Sequence, residues 1–335
     1  MLFLREIVGH RQITGALMNA VACGRVAHAY LFAGPAGVGK KTTALAFARA
    51  LLCPVPEGGD ACGTCRQCRQ VEHRNHPDLY IVNPSGATIK IEQIRELQHR
   101  APYRPYQGGR KLFLICRAET MTAEAANCLL KTLEEPPHDT VLILVSDQPQ
   151  SLLPTVLSRC QQCFFKSIPL SELSGSLTAR HGLAQEEALL AAAMSGGSMG
   201  KALAYASGSL AERRNAAGAL AGALKTAGPL EALEMAGKIS EDREEALLIL
   251  EMLICWFRDL LVYRETEDAA LLFNADRAGL VKKEAQSFQP GRLVEIIEDI
   301  EATRNKIEAN ASTRLALEAL FLRLSGGACA QEAPP

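Results

Sequence analysis

The sequence predicts an α/β domain followed by an all-helical half. The first is a parallel five-stranded sheet with helices on both faces. Three observations carry this. Short apolar runs alternate with helix-length segments up to about residue 166. A glycine-rich loop joins the first strong run to a helical segment. Beyond Pro169 the β-like runs largely stop, and Ala-, Leu- and Glu-rich helical patterns take over.

The five runs are Ala29–Ala33, Leu79–Val82, Lys111–Cys116, Thr140–Val145 and Gln162–Phe165. Strand–helix alternation argues for a parallel sheet with helices on both faces. Continuous rather than alternating apolar character fits strands buried on both sides. Leu170–Gly208 reads as a short helical unit ending in a Ser/Gly cluster. From Ser209 to Leu324 the pattern is helical, with Leu293, Ile296, Ile297, Ile300 and Ile307 at helix spacing. Ser240 followed by Glu241 and Asp242 reads as a helix start, with acids near the positive end of the dipole. The tail 326–335 has no periodicity and is expected to fray.

Composition excludes several classes. The 335 residues are 48% hydrophobic and 22% charged, a globular balance rather than a disordered one. With 36 basic and 37 acidic residues the net charge is −1, against a chain that coats nucleic acid by itself. Aromatics are only 5%, too few for extended base-stacking platforms. No apolar run reaches the ~18 residues of a membrane helix. Residues 1–12 lack the pattern of a signal peptide, so the protein is expected in the cytoplasm.

Gly34-Pro-Ala-Gly37-Val-Gly39-Lys40-Lys41-Thr42 directly follows the first strand and opens the helical segment Thr42–Leu52. This is a phosphate loop. Its glycines let backbone N–H groups cradle phosphate oxygens, the helix N-terminus adds a positive field, and Lys40 reaches toward the terminal phosphates. The Mg²⁺-binding hydroxyl expected after Lys40 is replaced by Lys41. Thr42 lies one position later, ~100° round the helix, and is a poor substitute.

Hydrolysis also needs carboxylates at the end of a second strand. Leu112–Ile115 runs instead into Cys116, Arg117, Ala118 and Glu119. Cys116 and Arg117 put a neutral thiol and a cation where two acids are needed, and Glu119, two residues beyond the required position, is expected to point elsewhere. The alternative reading of Cys116 is a small buried residue closing the sheet. The chain is therefore expected not to hydrolyse ATP at a useful rate alone.

Cys53, Cys62, Cys65 and Cys68 are spaced C-x8-C-x2-C-x2-C, with Gly63 between the second and third. Four thiolates with C-x2-C pairs read as a closed tetrahedral zinc site, structural because no position is open to a substrate. His73 and His76 nearby read as surface or capping residues, and the second C-x2-C, Cys160 to Cys163, as non-metal. Arg95, Arg100, Arg104 and Arg110 surround Pro102-Tyr103 and Pro105-Tyr106. They read equally as phosphate contacts in an assembly or as a solvated face. Arg159 follows Ser158 at the edge of the nucleotide-binding half, where an arginine can be a surface residue, an ion-pair partner or a trans-acting finger.

These motifs together resemble the AAA+ clamp-loader subunits of bacterial DNA polymerase III. The resemblance is carried by Ile7-Val-Gly-His10, His28–Pro35, the phosphate loop, the four cysteines and His76–Leu79. It continues through Ala125–Pro137 (AANCLLKTLEEPP), Leu153–Cys160 (LPTVLSRC) and Glu308–Glu318. It implies an AAA+ domain over about 1–166 with a zinc-binding insertion at 53–68, a small helical lid at 167–208 and a helical collar at 209–325. It implies a nucleotide site at Gly34, Gly37, Gly39, Lys40 and Thr42, and zinc on the four cysteines. Arg159 matches the family's trans arginine, which completes the ATP site of an adjacent motor subunit. The implied partners are the motor subunits (gamma/tau) and the delta subunit in a hetero-pentamer, with the sliding clamp and primed DNA reached through the complex. The whole belongs to a nucleotidyltransferase holoenzyme acting in DNA replication.

An active lid carries a second arginine where this chain has Gly200, in Gly197-Ser-Met-Gly200. Lys41, Cys116, Arg117 and Gly200 each remove one part of a hydrolysing site. They favour a stator-like, non-hydrolysing subunit over the alternative, a gamma/tau-like motor ATPase with divergent motifs. ATP or ADP binding is left open, because the glycines and Lys40 remain.

Overall fold

The computed structural model describes residues 3–107, 109–206 and 210–325. The chain divides into two compact units, Met1–Leu203 and Ala204–Pro335.

The first unit holds a sheet of five parallel strands, β1 (Ala29–Ala33), β2 (Leu79–Val82), β3 (Lys111–Cys116), β4 (Thr140–Ser146) and β5 (Gln161–Phe164), in the order β2-β3-β4-β1-β5. β1, β3 and β4 are buried along their whole length, which is why each reads as an unbroken apolar run. Alternate residues feed two cores. Tyr30, Phe32, Leu112, Leu114, Ile143 and Val145 face one side, and Leu31, Phe113, Ile115, Leu142 and Leu144 the other. Two strands depart from expectation by one residue. β4 runs on to Ser146, paired with Ala33. β5 spans Gln161–Phe164, one residue earlier at each end than the apolar run Gln162–Phe165, because pairing with β1 and not burial sets the bounds of an exposed edge strand.

Between the strands lie α1 (Arg11–Ala22), α2 (Lys40–Leu52), α3 (Arg66–Glu72), α4 (Ile91–Arg100), α5 (Ala123–Glu134) and α6 (Pro154–Leu157). Helix boundaries follow local chemistry. Thr122 accepts from Ala125 N to cap α5, and Pro154 opens α6 where its missing N–H costs nothing. After β5 come α7 (Leu170–His181), α8 (Gln185–Met194) and α9 (Met199–Ala206), with α7 packed on α8. The division between the units falls inside α9. The expected collar start at 209 lies outside the described residues.

The second unit contains α10 (Leu210–Thr226), α11 (Pro229–Ile239), α12 (Arg243–Thr266), α13 (Ala278–Ala285), α14 (Pro290–Glu308) and α15 (Thr313–Leu324). The long α12 packs against α10, α13 and α14, and α15 against α11 and α14. Leu293, Ile296, Ile300 and Ile307 form the buried stripe of α14, as their spacing predicts. The start of α12 corrects the expectation at Ser240. That serine ends α11, its Oγ donating to Gly237 O, while Asp242 caps α12 by accepting from Glu244 N and Glu245 N. A carboxylate accepts both first-turn N–H groups, whereas the serine is still tied to the preceding turn. The tail at 326–335 lies outside the described residues. No described helix is long and apolar enough to cross a membrane.

Candidate nucleotide site, arginine and metal centre

The phosphate loop leaves the carboxyl end of β1 and feeds the N-terminus of α2. Gly34, Gly37 and Gly39 all take positive φ, so the loop needs glycine on conformational grounds alone. No side chain caps α2 at Gly39. From the other side, His10 Nε2 lies 2.9 Å from Val38 O, and its ring meets Phe165 edge-on at 4.7 Å. Burial lowers the His10 pKa, favouring the neutral ring.

Lys40 does not extend into open space. Its Nζ donates to Gly34 O at 2.6 Å and Pro35 O at 2.5 Å, and lies 2.6 Å from Asp147 Oδ1. The three donors of the ammonium thus have three partners, and Lys40 is 4% exposed. Asp147, just past β4, is a site residue the sequence reading missed. An acid one step beyond a strand end is a visible signal, but the adjacency of β4 to β1 is not.

A cavity of about 420 Å³ opens beside the loop, lined among others by Lys41, Thr42, Cys116, Arg117 and Asp147. Among the described residues, Asp147 is the sole carboxylate lining it, against the cations Lys40, Lys41 and Arg117. Cys116 is buried, and burial pushes its thiol pKa up. Glu119 sits in a short 3-10 turn and does not line the cavity. Met199 and Gly200 at the start of α9 close one side, and Gly200 N donates to Gly37 O at 3.0 Å. A Cβ on Gly37 would stand 2.1 Å from Ser198 Oγ, so this segment rests directly on the loop.

Arg159 follows α6 and does not line that cavity. Its Nη1 donates to Thr155 O at 2.9 Å and Ser158 Oγ at 3.3 Å, and its Nη2 lies 2.8 Å from Glu134 Oε1 at the end of α5. The side chain is 35% exposed and held in one direction by three partners. Of the loop arginines, Arg100 pairs with Glu96 and covers the Tyr80 ring, while Arg95 and Arg104 are exposed.

The four cysteines converge. Cys53 ends α2, Cys65 caps α3, and all four Sγ atoms lie within 4.8 Å of one another. Cys62 and Cys68 Sγ are 3.9 Å apart. A tetrahedral Zn–S₄ site with bonds of ~2.3 Å places its sulfurs ~3.8 Å apart, so the cluster fits that ion. The N–H groups of Cys65 and Thr64 pull the Cys62 thiol down to about 6, whereas burial pushes Cys68 up to about 12. Four close sulfurs hold together as thiolates only around a cation. The cluster can hold a metal ion with no coordination position left open. His76 is buried and its Nδ1 accepts from Asp78 N, and His73 is exposed. Burial raises the thiols of Cys160 and Cys163 to about 12 and about 11.

Comparison with known proteins bears on both units. Residues 9–169 match the family model described as DNA polymerase III, delta subunit, and residues 207–326 match DNA polymerase III, delta subunit, C terminal. The chain is 31% identical to DNA polymerase III subunit delta' of Escherichia coli over 313 residues, covering 92% of each. It is 44% identical to DNA polymerase III subunit delta' of Bacillus subtilis over 152 residues, 45% of this chain and 46% of that protein. The chain thus spans about half the length of that relative. It is also 36% identical to DNA polymerase III subunit tau of Escherichia coli over 172 residues, 51% of this chain and 27% of that one.

Proposed function

We infer what this chain does from one premise: it belongs to the DNA polymerase III delta' family. It acts as a non-hydrolysing AAA+ subunit of the clamp loader in bacterial DNA replication. It assembles with gamma/tau motor subunits and a delta subunit in a hetero-pentamer, in the cytoplasm. Through that complex it serves the sliding clamp and primed DNA.

One observation carries the non-hydrolysing reading. Lys40 is closed down on Gly34, Pro35 and Asp147, and the end of β3 brings Cys116 and Arg117, not acids, to the cavity. An Mg²⁺–phosphate group entering there would meet Lys41 and Arg117, and the lining carboxylate, Asp147, is already paired with Lys40. Gly34, Gly37, Gly39, Lys40 and Thr42 form a degenerate site that binds ATP or ADP weakly at most. Cys53, Cys62, Cys65 and Cys68 hold structural zinc.

Arg159 is the group offered to another subunit. Its guanidinium is partly exposed and keeps donors beyond those taken by Thr155, Ser158 and Glu134. In trans it would stabilise charge developing on a neighbour's transferring phosphoryl group, worth ~10³–10⁵-fold at the site it completes.

The test is DNA- and clamp-stimulated ATP turnover by the reconstituted loader, comparing the wild-type chain with Arg159→Ala and using the chain alone as baseline. The expected result is a silent isolated chain and a large loss on Arg159→Ala. Turnover by the chain alone would replace this reading with that of a motor.

A further inference from the structure

The cysteine loop is joined to the start of the chain by buried contacts that metal binding itself does not require. Asp60 lies in this loop and is wholly buried. Its Oδ1 accepts from Leu4 N at 3.1 Å and Ala61 N at 2.8 Å, and its Oδ2 from Arg5 N at 3.1 Å. A carboxylate without solvent depends on such donors, and they are supplied by the N-terminal segment and the loop's own backbone.

A second link runs through α2. Arg49, 1% exposed, donates to Gly63 O at 3.2 Å, and its guanidinium lies over the Phe3 ring at 4.9 Å. Gly63 has φ +80°, and a Cβ there would stand 2.7 Å from Phe3 Cζ. The ring therefore lies directly against the turn between Cys62 and Cys65. Gly59 makes a comparable approach to α1, where its Cβ would stand 2.0 Å from Met18 O.

The segment held this way forms a wall. Phe3, Glu6, Ile7 and Val8 line one side of a cavity of about 150 Å³, and Val38 and Gly39 of the phosphate loop line another. Between α2 and α3 the chain from 53 to 65 contains only a single β-bridge, Glu57 to Asp60. It has little regular structure of its own to keep Asp60 in place.

We propose that the metal loop anchors this wall. An ion on Cys53, Cys62, Cys65 and Cys68 orders the loop, and Asp60 and Arg49 act as positioning residues that transmit the order to residues 3–8 beside the phosphate loop. The inference rests on the zinc reading given above. Metal binding is coupled to the order of the chain that supplies the ligands. Removing the cross-link returns the loop's conformational freedom, and an untethered Asp60 re-solvates rather than holding Leu4 and Arg5.

Hydrogen–deuterium exchange on the full chain tests this, with zinc content measured on the same samples. On chelation, the Leu4 and Arg5 amides are expected to exchange at least about tenfold faster, while β3 and β4 stay protected. Adding back zinc alone restores the slow rates. Asp60→Ala, with one zinc retained per chain, is expected to release the same two amides.

Unchanged exchange at Leu4 and Arg5 after chelation overturns the proposal. So does equal acceleration through β3 and β4, which would mean general unfolding. Slow exchange in Asp60→Ala removes Asp60 from the link. Well under one zinc in the freshly purified chain would instead sink the zinc reading, a distinguishable failure.

Discussion

Lys40 Nζ and Asp147 Oδ1 lie 2.6 Å apart, the lysine side chain 3% exposed and the aspartate 39%. The residue that would meet phosphate is thus paired with a carboxylate that follows the neighbouring strand directly. An anionic ligand must compete with Asp147 for that ammonium. Asp147→Asn keeps the shape and removes the charge, so ADP affinity without Mg²⁺ is expected to rise by about tenfold, ~1.4 kcal/mol. Isothermal titration of the two proteins reads this directly. Equal affinities would show that the pair does not restrain the loop.

Glu134 is expected to affect loader turnover only through Arg159. The pair is 2.8 Å apart but half-exposed, so its own stabilising effect is small, ~0–1 kcal/mol. Glu134→Ala should leave the melting temperature nearly unchanged and lower kcat of the assembled loader more than it raises KM. In an Arg159→Ala background it should add nothing further. Additive losses in that double-mutant cycle would separate the two residues.

His10 and His76 both have pKa values lowered from 6.5, chiefly by burial. A depressed folded-state pKa means that protonation opposes folding. Their contribution is fully present above 6.5 and is lost as pH falls through the lowered folded values. Stability of the first unit should therefore decline on acidification below 6.5. His10→Gln, which can still donate to Val38 O, should flatten part of that slope in urea melts at several pH values. An unchanged slope would remove His10 from the effect.

In the second unit, Asp259 is fully buried and accepts from Phe273 N, Asn274 N and Asn274 Nδ2, with Arg258 Nη1 at 3.0 Å. Asp259→Ala leaves these groups without their acceptor. It should cost about 3–5 kcal/mol, the range for breaking a buried charged network. Zinc content should stay at the wild-type level, because the cysteines belong to the other unit. A melting curve and metal analysis of the same sample check both parts.

Much of this molecule is legible from neighbours in sequence. β1, β2 and β3 lie at the residues where apolar runs place them. The phosphate loop and the cysteine cluster are readable because a left-handed turn needs glycine and a C-x2-C pair brings two sulfurs to one ion. The replacements at Lys41, Cys116, Arg117 and Gly200 are legible too, since each is a residue type set against a chemical requirement. Such features are local: backbone sterics, side-chain periodicity and ligand spacing act over a few residues.

What only the tertiary structure decided lies between distant segments. The strand order β2-β3-β4-β1-β5 puts Asp147 beside Lys40, and no local pattern states which strand neighbours which. The start of α12 went to Asp242 because its carboxylate reaches two N–H groups while Ser240 still belongs to α11. Asp60 reads in sequence as one more loop acid, yet it is buried against Leu4 and Arg5. The reason is common to all three. Residue types and short spacings state which bonds a segment can make. Packing of elements far apart in the chain selects the partner, because a buried polar group must find its donor or acceptor wherever the fold has brought one.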